Sequence, residues 1–269
     1  MADYVLKLSD DEVARYRLMA QGAARDEHEL WAAAGITEGA VVADVGCGPG
    51  AVSAVLAAAV GPTGAVHAVD RDPEALELAR RSARDAGLTN VVVSEGSAWA
   101  SGVGPGSVDV AMMRHVLAHN GGREQDIVDH LATLVRPGGS VYLVDIDASA
   151  MRVVPVGPAS VLSDVLERYR AFHASMGNDL SIGLRLGELL EQAGLEQVDH
   201  RGQYQVMKPS PGMRPPAWAA REKMLAAGVI DEDDVARWQI EFDRLDRGEV
   251  RVTMFVASFT AFARKPLGA

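Results

Sequence analysis

A ten-residue stretch, Val41 to Gly50, constrains the fold more than any other part of the chain. Its apolar first half is typical of a buried strand, and its second half places Gly46, Gly48 and Gly50 at alternating positions before an apolar helical segment. Glycine lets a backbone approach a ligand closely, and the helix that follows points free amide groups into the same crevice. The pattern favours an α/β fold that binds a nucleotide-like cofactor, with a glycine-rich turn that binds nothing as the alternative.

The spacing of the glycines separates two classes of cofactor. A dinucleotide-binding loop has the sequence Gly-x-Gly-x-x-Gly, whereas this loop reads Asp44-x-Gly46-x-Gly48-x-Gly50. This loop resembles the first motif of class I S-adenosylmethionine-dependent methyltransferases. The resemblance implies that S-adenosylmethionine is the cofactor, with its methionine part against the loop, and that S-adenosylhomocysteine is the product. The rival interpretation, an NAD-binding oxidoreductase, has the wrong glycine spacing.

A second predicted strand, Ala65 to Asp70, ends in an acid twenty residues after Gly50. In a βαβ unit that position lies at the tip of the neighbouring strand, where a carboxylate accepts hydrogen bonds from both ribose hydroxyls. The alternative for Asp70 is an exposed turn residue. The arrangement also resembles the second motif of the methyltransferase family, so we expect Asp70 to bind the ribose.

The predicted third strand, 91–95, leads to Ser97, Ala98 and Trp99, where the family often has an acid that holds adenine. This chain departs from that pattern. We therefore expect Ser97, a backbone amide and the ring of Trp99 to hold adenine, and the alternative role of Trp99 is a half-exposed loop anchor. The residues expected to contact the cofactor are Asp44, Gly46, Cys47, Gly48, Gly50, Asp70, Arg71, Ser97, Ala98, Trp99 and Arg114.

The predicted fourth strand runs into residues 114–120, which resemble the family loop that faces both cofactor and substrate. His115 and His119 are four residues apart, so one helical turn would place them on one face. A metal pair is one interpretation, but no acid or cysteine stands at ligand spacing nearby. Asp145 and Asp147 lack the Asp-Asn dipeptide of magnesium-dependent catechol-type enzymes, so we expect no metal. His119 is better explained as a general base or a substrate ligand.

The resemblance implies a Rossmann-like sheet of seven strands, parallel except for one reversed strand, to which this chain adds helical segments. An N-terminal helix should begin at the capping box of residues 9–12 and end at Gly35. It either packs on the sheet or covers the cofactor, and helical patterns recur at 158–176 and 209–248. The expected organisation is a helical cap at 1–36, a cofactor-binding core at 37–150, a cap insertion at 151–180, and the rest of the core at 181–269 with a helical insertion at 209–248.

The acceptor pocket is expected between the ends of strands four and five and this helical cap. A phenol or hydroxyl acceptor benefits from a base, for which His119 and His173 are the candidates, whereas a neutral amine or an electron-rich carbon needs none. The residues expected to line the pocket are Tyr16, Met19, His119, Tyr169, His173 and Trp218.

Composition narrows the choice of partners. The 269 residues, 48% hydrophobic, are enough for one sizeable core. A net charge of −11 disfavours nucleic acid, because phosphate backbones are bound by basic surfaces. The single cysteine, Cys47, excludes an internal disulfide, and the chain shows neither a signal peptide nor an apolar run long enough to span a membrane. We therefore expect a cytoplasmic protein with no membrane partner, and a homodimer remains open.

Together these features predict methyl transfer from S-adenosylmethionine to an oxygen, nitrogen or carbon nucleophile of a small organic molecule. The chain looks most like ubiquinone- or menaquinone-biosynthesis enzymes and their relatives in natural-product pathways, that is, in secondary metabolism. Holding the nucleophile in line with the methyl group can supply about 7 to 11 kcal/mol of the barrier. The alternative is a protein that binds the cofactor without transferring methyl, either a regulatory binder or a non-methylating enzyme.

Overall fold

A computed structural model describes residues 10–155 and 161–268. Within these residues, helices pack on both faces of one seven-stranded sheet, as predicted. The strands are β1 (Val41–Val45), β2 (Ala65–Asp70), β3 (Val91–Glu95), β4 (Val108–Arg114), β5 (Val135–Pro155), β6 (Glu196–Met207) and β7 (Val252–Arg264). The helices are α1 (Asp10–Asp26), α2 (His28–Ala34), α3 (Ala51–Val60), α4 (Pro73–Asp85), α5 (Glu124–Leu134), α6 (Val161–Ser175), α7 (Leu186–Gln192), α8 (Pro216–Ala219), α9 (Arg221–Ala226) and α10 (Glu232–Asp246), with 3-10 turns at Leu117–His119 and Ile182–Arg185.

The strand order explains where a ligand can bind. The strands are arranged β3-β2-β1-β4-β5-β7-β6, and β7 runs antiparallel to both of its neighbours while the other pairs are parallel. The chain leaves β1 towards one edge of the sheet and returns to β4 on its other side. A crevice opens at the carboxyl ends of the strands where the order reverses in this way.

The central strands are buried on both faces, as expected for a parallel sheet covered by helices. Successive residues of β4 point to opposite faces. Met112 lies in the cluster that contains Trp31 and Leu56, and Met113 lies in the cluster that contains Leu131 and Phe172. This packing gives a rigid base for the loops at the strand ends.

The prediction of one continuous N-terminal helix is wrong. The helix is broken at Glu27, whose φ of −113° and ψ of 4° are not helical, and it continues as α2 until Gly35 ends it in a left-handed conformation. Contacts of the Glu27 side chain with the sheet, given below, explain the break. The expected capping box begins at Ser9, which lies outside the described residues.

The helical insertion expected at 209–248 contains α10 and, before it, two short helices that meet at Ala220. Strand β5 begins with a bulge, where Gly138 has a φ of +79°. The helix predicted over 158–176 is α6, and residues 156–160 lie outside the described part of the chain. No helix within the described ranges has the length and apolar character needed to cross a membrane.

Candidate functional site

A cavity of about 260 Å³ lies at the carboxyl ends of β1, β2, β4 and β5. It brings together most of the residues that the sequence nominated. The nominated residues that line it are Tyr16, Met19, Asp44, Gly46, Cys47, Gly48, Asp70, Arg71, Ala98, Trp99, Arg114, His119 and Tyr169. The nominated residues absent from its lining are Gly50, Ser97, His173 and Trp218.

The glycines of the loop have different structural roles. Gly46 has a φ of +83°, and a side chain there would collide with Val116. Gly50 has a φ of +77°, and an added Cβ would lie 2.8 Å from the Cβ of Ala79 on α4. The expectation that Gly50 clears space for the ligand is therefore replaced by a packing role, because its missing side chain lets α3 and α4 approach each other.

This role predicts a large difference between two glycine substitutions. Gly50→Ala and Gly87→Ala both place alanine at a positive φ, but nothing lies within 4 Å of an added Cβ at Gly87. Each should pay roughly 1 kcal/mol or more for the backbone conformation, and Gly50→Ala should lose about 1 to 3 kcal/mol further from crowding. Urea unfolding of the two variants measures the difference, and equal losses would contradict the packing role.

Asp70 is held in a defined orientation at the end of β2. Its Oδ2 accepts the Gly48 N–H at 2.8 Å and its Oδ1 accepts the Asp72 N–H at 3.0 Å. Each carboxylate oxygen can accept a second hydrogen bond. Asp70 therefore ties the glycine loop to β2 and still offers both oxygens to a ligand.

Asp44 is a buried carboxylate at the base of the cavity. It is 2% exposed and accepts a hydrogen bond from the Ser53 hydroxyl at 2.6 Å. Burial raises its pKa to about 6, against the opposing effects of Ser53 and Arg114. Among the described residues, no basic side chain lies within ion-pair distance of Asp44. A carboxylate in this environment fits a ligand that brings its own positive charge.

The raised pKa of Asp44 predicts a pH-dependent stability. Between the unfolded value of 3.8 and the folded value of about 6, the folded state binds more protons than the unfolded state, so stability falls as pH rises. The free energy of unfolding of the free protein should therefore decline across this window relative to Asp44→Asn, which cannot ionise. Urea unfolding at pH 4.5 and at pH 7 measures the free energy of unfolding of both proteins. The same change with pH in the two would show that ionisation of Asp44 does not destabilise the folded state.

A buried carboxylate that the sequence analysis missed connects the N-terminal helices to this site. Glu27 Oε2 accepts hydrogen bonds from Arg114 at 2.6 Å, the Tyr142 hydroxyl at 2.8 Å and Trp31 Nε1 at 3.3 Å. It is 7% exposed. One signal was available, because Glu27 follows Ala23 by four residues and so stands on the apolar face of the predicted helix.

His115 and His119 both line the cavity, although the segment between them is a 3-10 turn and not an α-helical turn. His115 Nδ1 lies 3.8 Å from Oδ1 of Asp145, which also lines the cavity. Burial lowers the pKa of His119, and the carboxylate of Asp145 opposes that shift. Burial therefore disfavours the charged form of His119 in the cavity wall.

His173 lies behind the cavity wall and not in it. Its ring is fully buried, with its centroid 4.9 Å from that of His119 and 4.4 Å from that of Tyr169. The Asn178 Oδ1 accepts the Gly121 N–H at 3.1 Å, so the Asn178 amide donates to His173 Nδ1 at 3.0 Å. Burial lowers the pKa of His173 to about 3. His173 was expected to line the acceptor pocket, but it is not among the residues that line the cavity.

Of the other aromatic and polar residues expected at the site, Trp99 lines the cavity, whereas Ser97 and Trp218 do not. Trp99 lines the cavity, and the guanidinium of Arg123 lies 4.1 Å from the centre of its ring. The Ser97 N–H donates to the Ala100 carbonyl at 3.1 Å, which uses this backbone amide within its own turn. Trp218 packs edge-on against Phe242, and its neighbour Pro216 reaches the cavity instead.

The described residues contain no group of three or more histidine, cysteine, aspartate or glutamate side chains placed to hold a metal ion. A metal-free reaction stays a prediction. The donor set of the cavity does suit S-adenosylmethionine. Its ammonium and sulfonium charges match the buried carboxylates, its carboxylate matches Arg114, and its ribose matches Asp70.

Comparison with known proteins agrees with this assignment. A family model described as a methyltransferase domain matches residues 36–194. The chain is 36% identical over 107 residues to a probable cobalt-precorrin-6B C(15)-methyltransferase of Sulfolobus acidocaldarius, covering 39% of this chain and 53% of that protein. The match thus spans about half the length of this relative.

Two solved structures show the same fold. A methyltransferase from Aquifex aeolicus that depends on S-adenosylmethionine has a TM-score of 0.50 and 20% identity, covering 70% of this chain and 90% of that one. Phosphoethanolamine N-methyltransferase 2 of Haemonchus contortus, in complex with S-adenosylhomocysteine, has a TM-score of 0.57 and 15% identity, covering 96% of this chain and 58% of that one. Since the family model covers more than half of the chain, the chain belongs to the methyltransferase domain family, and its cavity presents groups that suit S-adenosylmethionine.

Proposed function

We propose that the protein transfers the methyl group of S-adenosylmethionine to an oxygen, nitrogen or carbon nucleophile of a small organic molecule, such as a natural-product intermediate. The observation that carries this proposal is the continuity of the cavity. Asp44 and Asp70 line the same cavity as His119 and Tyr169, so cofactor and acceptor can meet within one site. The net charge of −11 supports a small molecule over a nucleic acid.

The residues of the chain divide into two roles in this proposal. The glycine loop, Asp70, Trp99 and Arg114 hold the cofactor, whose sulfonium supplies an activated methyl group. Tyr16, Met19, His119 and Tyr169 face the acceptor, exclude water and set its orientation, as reactions of this type depend mainly on positioning.

Access requires the helical cap to move. A cavity of about 260 Å³ is below the usual range of about 300 to 1,000 Å³ for ligand sites, and it must admit two molecules. Three cap segments contribute to its wall: α1 through Tyr16, α6 through Tyr169, and the insertion through Pro216. We therefore propose that these segments open to load the site and close before transfer.

Hydrogen exchange tests the proposed cap. In the free protein, amides of α1, α6 and α8 should exchange faster than those of β1 and β4, and they should slow when S-adenosylhomocysteine binds, because the closed cap then gains contacts. Amides of α5, which packs on the sheet away from the cavity, serve as the internal control. Equal protection of the cap and the central strands in the free protein would contradict cap opening.

Two measurements test the function itself. Calorimetry should show binding of S-adenosylmethionine and S-adenosylhomocysteine, with NAD inert as the matched dinucleotide control. Incubation with methyl-labelled S-adenosylmethionine and a panel of phenols, enols, amines and carboxylic acids should then label an acceptor. Tight binding of NAD would contradict the cofactor assignment. Cofactor binding without label in any acceptor would favour the alternative, a protein that binds S-adenosylmethionine without transferring methyl.

A further inference from the structure

Two side chains at the cavity have no role in the function as proposed so far. His115 is the first residue after β4, and Asp145 lies on the adjacent strand β5. Both line the cavity, and Nδ1 of His115 lies 3.8 Å from Oδ1 of Asp145. Catalytic contacts are often long before substrate binds, so this separation suits a pair that closes in the working complex.

The carboxylate of Asp145 is fixed by backbone amides and not by a cation. It is 1% exposed, its Oδ2 accepts the Ala118 N–H at 3.1 Å, and its Oδ1 accepts the Ile146 N–H at 3.0 Å. Among the described residues, His115 is the only basic side chain within ion-pair distance of Asp145. A buried carboxylate of this kind stabilises a positive charge that develops on the neighbouring imidazole.

His115 has a strained backbone conformation, and its side chain lines the cavity. Its φ of 55° is in the left-handed region, which is uncommon for residues other than glycine. The His115 N–H donates to the Val144 carbonyl at 2.8 Å and so anchors the residue to β5. Strained residues persist where the surrounding structure holds them, and they concentrate at active sites.

The two other histidines near the acceptor region are less suited to accept a proton. Burial lowers the pKa of both His119 and His173, so a positive charge is unfavourable on either ring. His173 is also separated from the cavity by His119 and Tyr169. His115 has a side chain that is 28% exposed and a carboxylate at ion-pair distance.

We propose that His115, oriented by Asp145, is the general base for a hydroxyl acceptor, so that the enzyme methylates a phenolic or enolic oxygen. This inference rests on the methyl-transfer function proposed above. Nδ1 of His115 faces Asp145, which leaves Nε2 to take the proton. As the acceptor oxygen bonds to the methyl carbon, its O–H bond breaks and the proton moves to Nε2. The carbon–sulfur bond breaks at the same time, and its electron pair stays on the sulfur of S-adenosylhomocysteine.

The base adds a dependence on pH only where the acceptor has a proton to lose, and this effect is separate from protonation of the acceptor itself. A tertiary amine has no proton to lose and gains nothing from His115. The titratable and charged groups that share the cavity with His115 are Arg15 and Tyr16 on α1, Asp44 on β1, Cys47 in the glycine loop, Asp70 and Arg71 at the end of β2, Arg114 on β4, His119 on the 3-10 turn, Asp145 on β5 and Tyr169 on α6.

The first test needs neither cofactor nor acceptor. Nitrogen-15 NMR of histidine side chains in the free protein at pH 8 reports which ring nitrogen carries the proton. The proposal requires His115 to be protonated on Nδ1, next to Asp145, and Asp145→Asn to shift the population towards the Nε2-protonated form. Wild-type His115 protonated mainly on Nε2 would overturn the proposal.

The second test compares matched acceptors and variants. With methyl-labelled S-adenosylmethionine and acceptors matched in shape, 4-methylphenol should be labelled on its hydroxyl oxygen, whereas 4-methylaniline and N,N,4-trimethylaniline should stay unlabelled. His115→Asn, chosen because asparagine tolerates the left-handed conformation, should lower kcat by about 10²- to 10⁴-fold. It should also remove the fall in rate at acidic pH, which His119→Gln should retain. His28→Gln, at an exposed site, is the control.

Calorimetry with S-adenosylhomocysteine separates the possible failures. His115→Asn should bind it within about threefold of wild type, which shows that the variant is folded. If wild type binds it but labels only amines, or labels no hydroxyl, the base assignment fails while the cofactor assignment stands. If wild type does not bind it, the proposed function fails as well. A pH profile unchanged in His115→Asn also overturns the inference.

Discussion

Glu27→Ala is expected to lower the free energy of unfolding by about 3 to 5 kcal/mol, the usual cost of removing one partner from a buried ion pair. The variant leaves the guanidinium of Arg114, whose side chain is 10% exposed, without its carboxylate. It also removes the acceptor for the Tyr142 hydroxyl and for Trp31 Nε1. Water in the adjacent cavity can solvate part of Arg114, which places the expected loss towards the lower end.

The matched control for this prediction is Glu29→Ala. Glu29 has the same side chain two positions along the chain, at the exposed first turn of α2. Its replacement should change stability by no more than about 0.5 kcal/mol. Urea unfolding followed by circular dichroism measures both variants. Similar losses in the two would mean that the buried network contributes nothing specific.

A second consequence of Glu27→Ala concerns the ligand. Arg114 lines the cavity and is oriented by Glu27. Glu27→Gln retains an acceptor oxygen for the Arg114 guanidinium, so it should keep more of the affinity for S-adenosylhomocysteine than Glu27→Ala does. Equal affinity in both variants and wild type would show that Arg114 does not bind the cofactor.

Asp70→Ala is expected to weaken S-adenosylmethionine binding by about 1.5 to 3 kcal/mol, or roughly 10- to 150-fold in Kd. The variant removes the proposed charge-assisted hydrogen bonds to the ribose. It also removes the acceptor of the Gly48 N–H, which donates to Asp70 Oδ2 at 2.8 Å in the wild-type protein. Asp70→Asn keeps one acceptor oxygen and should lose less. Calorimetry with S-adenosylmethionine and S-adenosylhomocysteine measures both variants.

The control for Asp70 is Asp85→Ala, an identical change at the exposed end of α4. It alters the net charge equally but lies outside the cavity lining. Its affinity for the cofactor should match that of wild type. If Asp70→Ala binds as tightly as Asp85→Ala, the ribose must be held elsewhere in the cavity.

Local sequence patterns were sufficient to predict the cofactor half of the molecule. The apolar run before the glycine loop is β1, the segment from Ala51 is α3, and Asp70 ends β2. These features are readable because they depend on neighbours in sequence: strand burial, glycine conformations and the acid at a strand tip all recur at fixed spacing. The seven-stranded sheet with one reversed strand follows from the same motifs through the family resemblance.

The proposed acceptor side of the cavity depends on contacts between distant segments. The sequence favoured His119 and His173 over His115 as candidate general bases. Burial and the ring contacts of α6, however, place His173 behind the cavity wall. His115 was undervalued because its partner Asp145 is thirty residues away, on the next strand. A pairing of this kind becomes visible only when parallel strands bring their carboxyl ends together.

The sequence by itself therefore determined the fold and the cofactor, because both are specified by short motifs in which the interacting groups are close along the chain. Tertiary structure decided which side chains line the cavity and where the N-terminal helix breaks. The break lies at Glu27, whose carboxylate bonds to Arg114, 87 residues away, and to Tyr142, 115 residues away. A buried charge takes the geometry that satisfies its hydrogen bonds, and no local propensity encodes partners at that separation.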